Sequence, residues 1–203
     1  MSDSTEIETR PRKDGRRLRS EASRSKIVQA MIELIRESGG MGLPPAEMVA
    51  ERAGVGLRTV FRLFEDMDGV YRAMQGVITA QFAHIIEPLP HSGDWRTDLR
   101  AEIARRAELY EGILALQIAA DSARHRSPAL REGRARLVLQ LREAIRSVAP
   151  PERMSDRRRA AAVELAVSFE AWRRLRTDQG APPDEAREIM TWMALQLLEG
   201  DGA

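Results

Sequence analysis

Arg58, Thr59 and Arg62 are the side chains of this sequence best suited to recognition chemistry. They stand in one short stretch, Ala53-Gly54-Val55-Gly56-Leu57-Arg58-Thr59-Val60-Phe61-Arg62-Leu63-Phe64. Gly54 and Gly56 permit a tight reversal, and Val60 and Phe64, four apart, give the following segment one apolar helical face. The stretch reads as the turn and second helix of a helix-turn-helix, a motif that lays a short helix in a DNA major groove with its first residues nearest the base edges. A guanidinium donates paired hydrogen bonds to a guanine edge, and Arg58 is the candidate for that contact. Thr59 suits a phosphate or a thymine methyl. Phe61 fits a packing contact better than a specific one. The candidate DNA-binding set is therefore Gly56, Leu57, Arg58, Thr59, Phe61 and Arg62, joined by Arg16, Arg17 and Arg19 near the N-terminus. Arg24 and Lys26 are weaker phosphate candidates.

No comparable case exists for catalysis. His84, His91 and His125 are far apart and none has zinc-ligand spacing. No Gly-x-Ser-x-Gly elbow and no phosphate-binding glycine loop is present. The chain has no cysteine, which excludes disulfides, thiolate metal sites and a cysteine nucleophile. The expectation is no enzyme, no catalytic residue, no metal and no cofactor.

The elements that must position the arginines are helical. Apolar residues make up 43% of 203 residues and aromatics 4%. The rest is rich in Ala, Leu, Arg and Glu, which favours helices over strands. The formal net charge is +1, but its distribution is uneven. Between Thr9 and Phe64 there are twelve Arg or Lys and six acids, so that span is +6. A basic N-terminal quarter on a near-neutral protein suits a DNA-binding head on a separate body. No apolar run approaches the ~20 residues that cross a bilayer, and no secretory core follows the basic start. The expectation is a cytoplasmic protein without membrane contact.

Residues 1–16 carry no apolar period and read as a disordered basic arm. From Leu18, Ile27, Ala30, Met31, Leu34 and Ile35 follow helical spacing up to Gly39-Gly40. Pro44-Pro45 opens a second helix with Met48, Val49 and Ala53 inward, and the third runs from Leu57 to Phe64. Residues 17–66 thus form the head, and 67–203 a helical body. A fourth helix carries the stripe Val70, Met74, Val77, Ile78, Phe82 and Ile85 from head to body. A long helix capped by Asp94 becomes apolar nearly all round from Leu109 to Ala120. Helices with Leu130, Leu137, Leu141, Ile145 and Val148 inward, then over 155–177 with Leu165, Phe169, Trp172 and Leu175, and finally from Pro182 to Leu198 complete an all-α fold of about nine helices.

This layout resembles the TetR family of bacterial one-component regulators. The head carries the likeness: the Gly-Gly break, Val49-Ala50, Ala53-Gly54-Val55, Thr59-Val60-Phe61 and Phe64, with a fourth helix following at once. The resemblance implies a three-helix DNA-binding head on a variable ligand-binding body, homodimers paired through the last two long helices, and repression relieved by a small-molecule effector. The chain departs from the family at four places. Gly56 stands where Ser or Thr is usual, Phe61 replaces a phosphate-binding tyrosine, Leu63 a histidine, and Met67, flanked by Asp66 and Asp68, a lysine. Two or three backbone contacts are thereby lost, and the basic arm is the candidate to offset them.

Tyr110 and Gln117, seven apart on the apolar half of the long helix, are buried polar tips that need partners. They, with Met74, Phe82, Phe169 and Trp172, are the candidate ligand-binding residues, expected to wall one cavity. Ile189, Trp192, Met193 and Leu197 cover more than one face of the last helix, which makes them the candidate dimer interface. The expected partners are double-stranded operator DNA, a small-molecule effector and a second copy of the chain. The expected function is a DNA-binding transcriptional regulator, a repressor released by its effector. The alternative is a ligand-binding or protein-interaction module with a weakened DNA-binding head.

Overall fold

The computed structural model describes residues 12–200. It is all-α, with no strand among the described residues. The elements are α1 (Arg12–Glu37), α2 (Ala46–Arg52), α3 (Leu57–Phe64), α4 (Met67–Gln81), α5 (Ala83–Ile86), α6 (Trp95–Ala123), α7 (Pro128–Val148), α8 (Pro151–Met154), α9 (Arg157–Ala166), α10 (Phe169–Arg173) and α11 (Pro183–Glu199). Since α5 and α8 are single turns, nine longer helices remain among the described residues. None of the described helices is long and apolar enough to cross a membrane.

Helix α1 begins at Arg12, earlier than the apolar period from Leu18 predicts. Arg and Lys are good helix formers, and the Arg17–Glu21 pair (2.9 Å) supports one exposed turn. Propensity therefore carries the helix beyond its apolar face, and Leu18 itself is exposed. Residues 12–16 of the expected arm are helical; residues 1–11 lie outside the described range.

Two apolar cores stack along the molecule. The first gathers Ile27, Met31 and Ile35 of α1, Val49 of α2, Val60 and Phe64 of α3, and Val70 and Met74 of α4. It also takes Leu116 and Ala119 of α6, so the N-terminal helices sit directly on the body. Met48, expected inward, is exposed, because Val49 and Ala50 already fill the contact between α2 and α1. The second core holds Leu99, Ile103 and Tyr110 of α6, Ile145 of α7, Val163 of α9, Phe169 and Trp172 of α10, and Met190 and Leu198 of α11.

Two expected helices are broken. The stripe from Val70 to Ile85 bends at Phe82, a buried residue with φ −105° and ψ 18° between α4 and α5. The segment 155–177 divides at Val167-Ser168. Ser168 is extended (φ −81°, ψ 162°), and its hydroxyl accepts the Ala171 N–H (3.1 Å), starting α10 afresh. The freed Val167 carbonyl accepts from Tyr110 Oη (3.0 Å) and Arg106 Nη1 (3.3 Å). Arg106 also donates to the Leu141 carbonyl and pairs with Glu102 one turn back (2.8 Å). A buried arginine and a buried tyrosine thus satisfy a carbonyl that a continuous helix would have used itself. After α10 the backbone widens into a π-helical turn at Arg174–Asp178. Leu165, expected inward, is 66% exposed on α9.

Candidate nucleic-acid interface and helical cavity

The turn before α3 is built on Gly54. Its φ of +65° ends α2 in a left-handed residue. Gly54 N donates to the Glu51 carbonyl and Val55 N to the Ala50 carbonyl, both at 3.0 Å. That is the paired bonding of a Schellman cap, which glycine adopts without steric penalty. Gly56 then stands as N-cap in extended conformation (φ −71°, ψ 146°) and has no side-chain cap to offer. The eight residues of α3 bury Val60 and Phe64 and half-bury Leu57, Thr59 and Leu63. Arg58, Phe61 and Arg62 form the outer face, with Phe61 41% exposed. Among the described residues, neither Arg58 nor Arg62 has an ion-pair or hydrogen-bond partner.

Other basic residues are engaged internally. Arg24 donates to the Leu63 carbonyl and lies 4.1 Å from the Phe64 ring centre, which pins the C-terminal turn of α3 to α1. Arg52 makes a two-pronged pair with Glu37 (2.7 Å for each bond), tying α2 to α1. Hydrogen bonding to Arg52 holds the Glu37 carboxyl below its ordinary pKa. Arg16, Arg17 and Arg19 are exposed on the early turns of α1, with Arg17 paired to Glu21.

The joint between α3 and α4 is tight. Glu65 has φ +68° and ψ −55°, and Asp66 N donates to the Phe64 carbonyl across it (2.8 Å). This is a strained γ-turn. Asp66 caps α4 by accepting the Gly69 N–H (2.8 Å). Asp68 reaches the N-terminus of α7, where it accepts from Ser127 Oγ and from Ala129 N (3.3 Å). Met67 and Leu63 are half-buried and pack against the first core. Asp66, Asp68, Leu63 and Met67 therefore have structural partners within the chain, while Phe61 stays exposed.

A cavity of about 230 Å³ lies between α4, α6 and α7. Its apolar wall includes Met74, Ile78, Phe82, Leu109, Ile113 and Leu137, and its polar lining includes Gln75, Gln117, Arg134 and Arg136. Gln75 stands two turns along the same face of α4 from Asp68 and donates to the Ala129 carbonyl (3.1 Å), while its Oε1 accepts from Arg136 (3.3 Å). Gly133 lets α7 approach so closely here that a methyl group at that position would overlap the Gln75 side chain.

The six sequence-derived ligand residues do not wall one cavity. Met74, Phe82 and Gln117 line the space between α4, α6 and α7. Tyr110 and Phe169 border a second recess of about 270 Å³, and Trp172 a third. Tyr110 is fully buried, meets Phe169 edge-on (5.7 Å between ring centres) and tilts against Trp172 (6.4 Å). The Trp172 indole donates to Glu111 (3.2 Å). Burial raises the Tyr110 hydroxyl pKa, against the lowering influence of Arg106 and Arg134. The three aromatics are core side chains, and the polar tips of Tyr110 and Trp172 find protein partners. The break between α9 and α10 places Phe169 and Trp172 in the second core with Tyr110, away from the α4–α6–α7 cavity. Of the last-helix residues, Ile189, Met193 and Leu197 are half-buried against the second core, while Trp192 is 63% exposed.

Sequence reasoning missed Gln75 and Arg134 as cavity residues. Arg134 had a visible signal, because it occupies the inward stripe of α7 between Leu130, Leu137 and Leu141. The buried pair Glu102–Arg106 had the same signal on α6, four apart beside Leu99 and Ile103. No cluster of metal-ligating side chains occurs among the described residues.

No family model matches the chain, and no curated protein does. Among solved structures, a transcriptional regulator from Rhodococcus sp. Rha1 is similar, with a TM-score of 0.66 and 21% identity over 87% of this chain and 96% of that one. At that identity the likeness is one of fold, and it extends over both the N-terminal helices and the body.

Proposed function

We propose that the chain is a DNA-binding transcriptional regulator of the TetR kind, a repressor whose homodimer leaves its operator when a small molecule fills the body. One observation carries this reading: an eight-residue helix, set by a glycine turn, whose outer face is Arg58, Phe61 and Arg62 with both guanidinium groups unpartnered among the described residues. A helix held at its C-terminal end by Arg24 and open at its N-terminal end is suited to groove insertion. The fold likeness to a transcriptional regulator supports the same reading.

Release follows from geometry. Two such helices must sit about 34 Å apart to enter successive major grooves. Helix α4 contributes Val70 and Met74 to the first core, and Met74 and Gln75 also line the cavity. A ligand that displaces the Gln75 amide from Ala129 and Arg136 loosens one of the two hydrogen-bonding side chains that tie α4 to α7 among the described residues, the other being Asp68. It shifts the head spacing only by as much as it binds one spacing better than the other. Exposed Leu165 on α9 and Trp192 on α11 support these helices as the dimer face, with Ile189, Met193 and Leu197 behind them.

The test is duplex binding against salt, for the wild type and Arg58→Ala. The expected outcome is a steep loss of affinity between about 50 and 200 mM salt, with a logarithmic slope near −0.9 for each phosphate neutralised. Arg58→Ala lowers affinity with the dimer intact. No binding at low salt refutes the DNA reading and leaves a ligand-binding or protein-interaction module.

A further inference from the structure

The lining of the α4–α6–α7 cavity has a sign. Its charged groups are Arg134 and Arg136, and no Asp or Glu lines it. Arg134 is 13% exposed in its side chain. One guanidinium nitrogen, Nη2, is taken by Glu170, and the group stands 5.4 Å from the Phe169 ring centre. A second, Nη1, is buried and has no hydrogen-bond partner among the described residues. A buried cationic donor without an acceptor is costly, and a bound acceptor is one way to satisfy it. Gln117, whose amide also lacks a partner among the described residues, lines the same cavity. The remaining wall is apolar: Met74, Ile78, Phe82, Leu109, Ile113 and Leu137.

We infer that the cavity takes an organic anion: a small apolar body ending in a carboxylate or a similar acid, held at that end by Arg134 with Arg136 beside it. A guanidinium presents a planar pair of donors that matches a carboxylate. The absence of a lining acid makes the site selective by charge, since a cationic ligand would face two arginines, and Glu170, the acid paired with Arg134, lies outside the lining. Size follows from volume. A cavity of ~150 Å³ holds benzene, so about 230 Å³ holds roughly nine or ten non-hydrogen atoms. Octanoate and phenylacetate are acids of that size. Arg134 stands between this cavity and the second recess, beside Tyr110, and lines both; the recess is less suited, because Glu164 and Glu170 line it along with its arginines.

This inference rests on the cavity being the effector site, and the experiment separates the two. Octanoate, phenylacetate and the primary amide of each are titrated calorimetrically into the full-length protein. The wild type binds each acid about tenfold more tightly than its amide, the expected gain from a charge-assisted hydrogen bond over a neutral one. Arg134→Gln brings the acid and amide affinities together. Glu170→Gln, which leaves Arg134 in place and frees its second nitrogen, keeps or enlarges the preference; it serves as the second variant should Arg134→Gln fail to fold. Equal binding of acid and amide by the wild type overturns the anion while leaving a small-molecule cavity. A preference that survives Arg134→Gln, or no binding by any of the four probes at millimolar concentration, overturns it too. The effector reading fails separately, if bound acid leaves duplex affinity unchanged.

Discussion

Replacing Asp68 by alanine tests whether one carboxylate ties the N-terminal helices to the body. Asp68 accepts from Ser127 Oγ and Ala129 N at the start of α7, where the helix dipole favours negative charge. Hydrogen bonds to charged groups contribute about 1.5–3 kcal/mol each. The bond to Ala129 is long at 3.3 Å and Asp68 is half-exposed, so the pair together is worth roughly 2–3 kcal/mol. For a chain of 203 residues this corresponds to a fall in Tm of roughly 4–12 °C. Urea melts of Asp68→Ala, Ser127→Ala and the double variant measure the coupling directly, with about 1 kcal/mol or more expected. Asp66→Ala is the control. Asp66 caps α4 only, so its loss costs about 1 kcal/mol and shows no coupling to Ser127. Coupling between Asp68 and Ser127 below about 0.3 kcal/mol, or equal behaviour of the two aspartates, would refute the tie.

Two further outcomes follow from the second core and its border. Arg106→Met strands Glu102 in the interior, removes one donor each from the Val167 and Leu141 carbonyls, and destabilises by about 3–5 kcal/mol, while adding Glu102→Leu recovers much of that loss in the same urea melts; no recovery would contradict the buried pairing. Glu111 is held below its ordinary pKa, first by its hydrogen bonds from Arg176, with burial opposing. A carboxyl lowered on folding stabilises above its unfolded pKa, and that stability is lost as pH falls through the folded value. The gap between wild type and Arg176→Met is therefore full at neutral pH and closes toward acid. A gap independent of pH counts against the pair.

The parts of the fold legible in the sequence are those set by neighbours along the chain. Gly54, Val60 and Phe64 fix the turn and the inner face of α3 within a dozen residues, and the arginines are left outside by subtraction. The breaks were not legible. Ser168 is one possible cap among many serines, and the acceptance of Tyr110 and Arg106 by the Val167 carbonyl joins residues 57 and 61 positions apart. The same long-range bond explains why Tyr110 lies outside the α4–α6–α7 cavity, since its hydroxyl already has a partner at the break after α9. The cavity depends on how closely α7 approaches α4, which Gly133 permits but does not announce. In the sequence Asp68 is only one of two acids flanking Met67; its bonds to Ser127 and Ala129 arise only once α7 is docked.

The central claim is that two copies of α3 read DNA together. Selection of bound sequences from a pool of random duplexes tests it most directly. An enriched inverted repeat is expected, its half-sites centred one helical turn apart, about 10 base pairs, or a multiple of that. The enrichment disappears in Arg58→Ala/Arg62→Ala. Recovery of a single unpaired half-site, or of no preferred sequence, would contradict it.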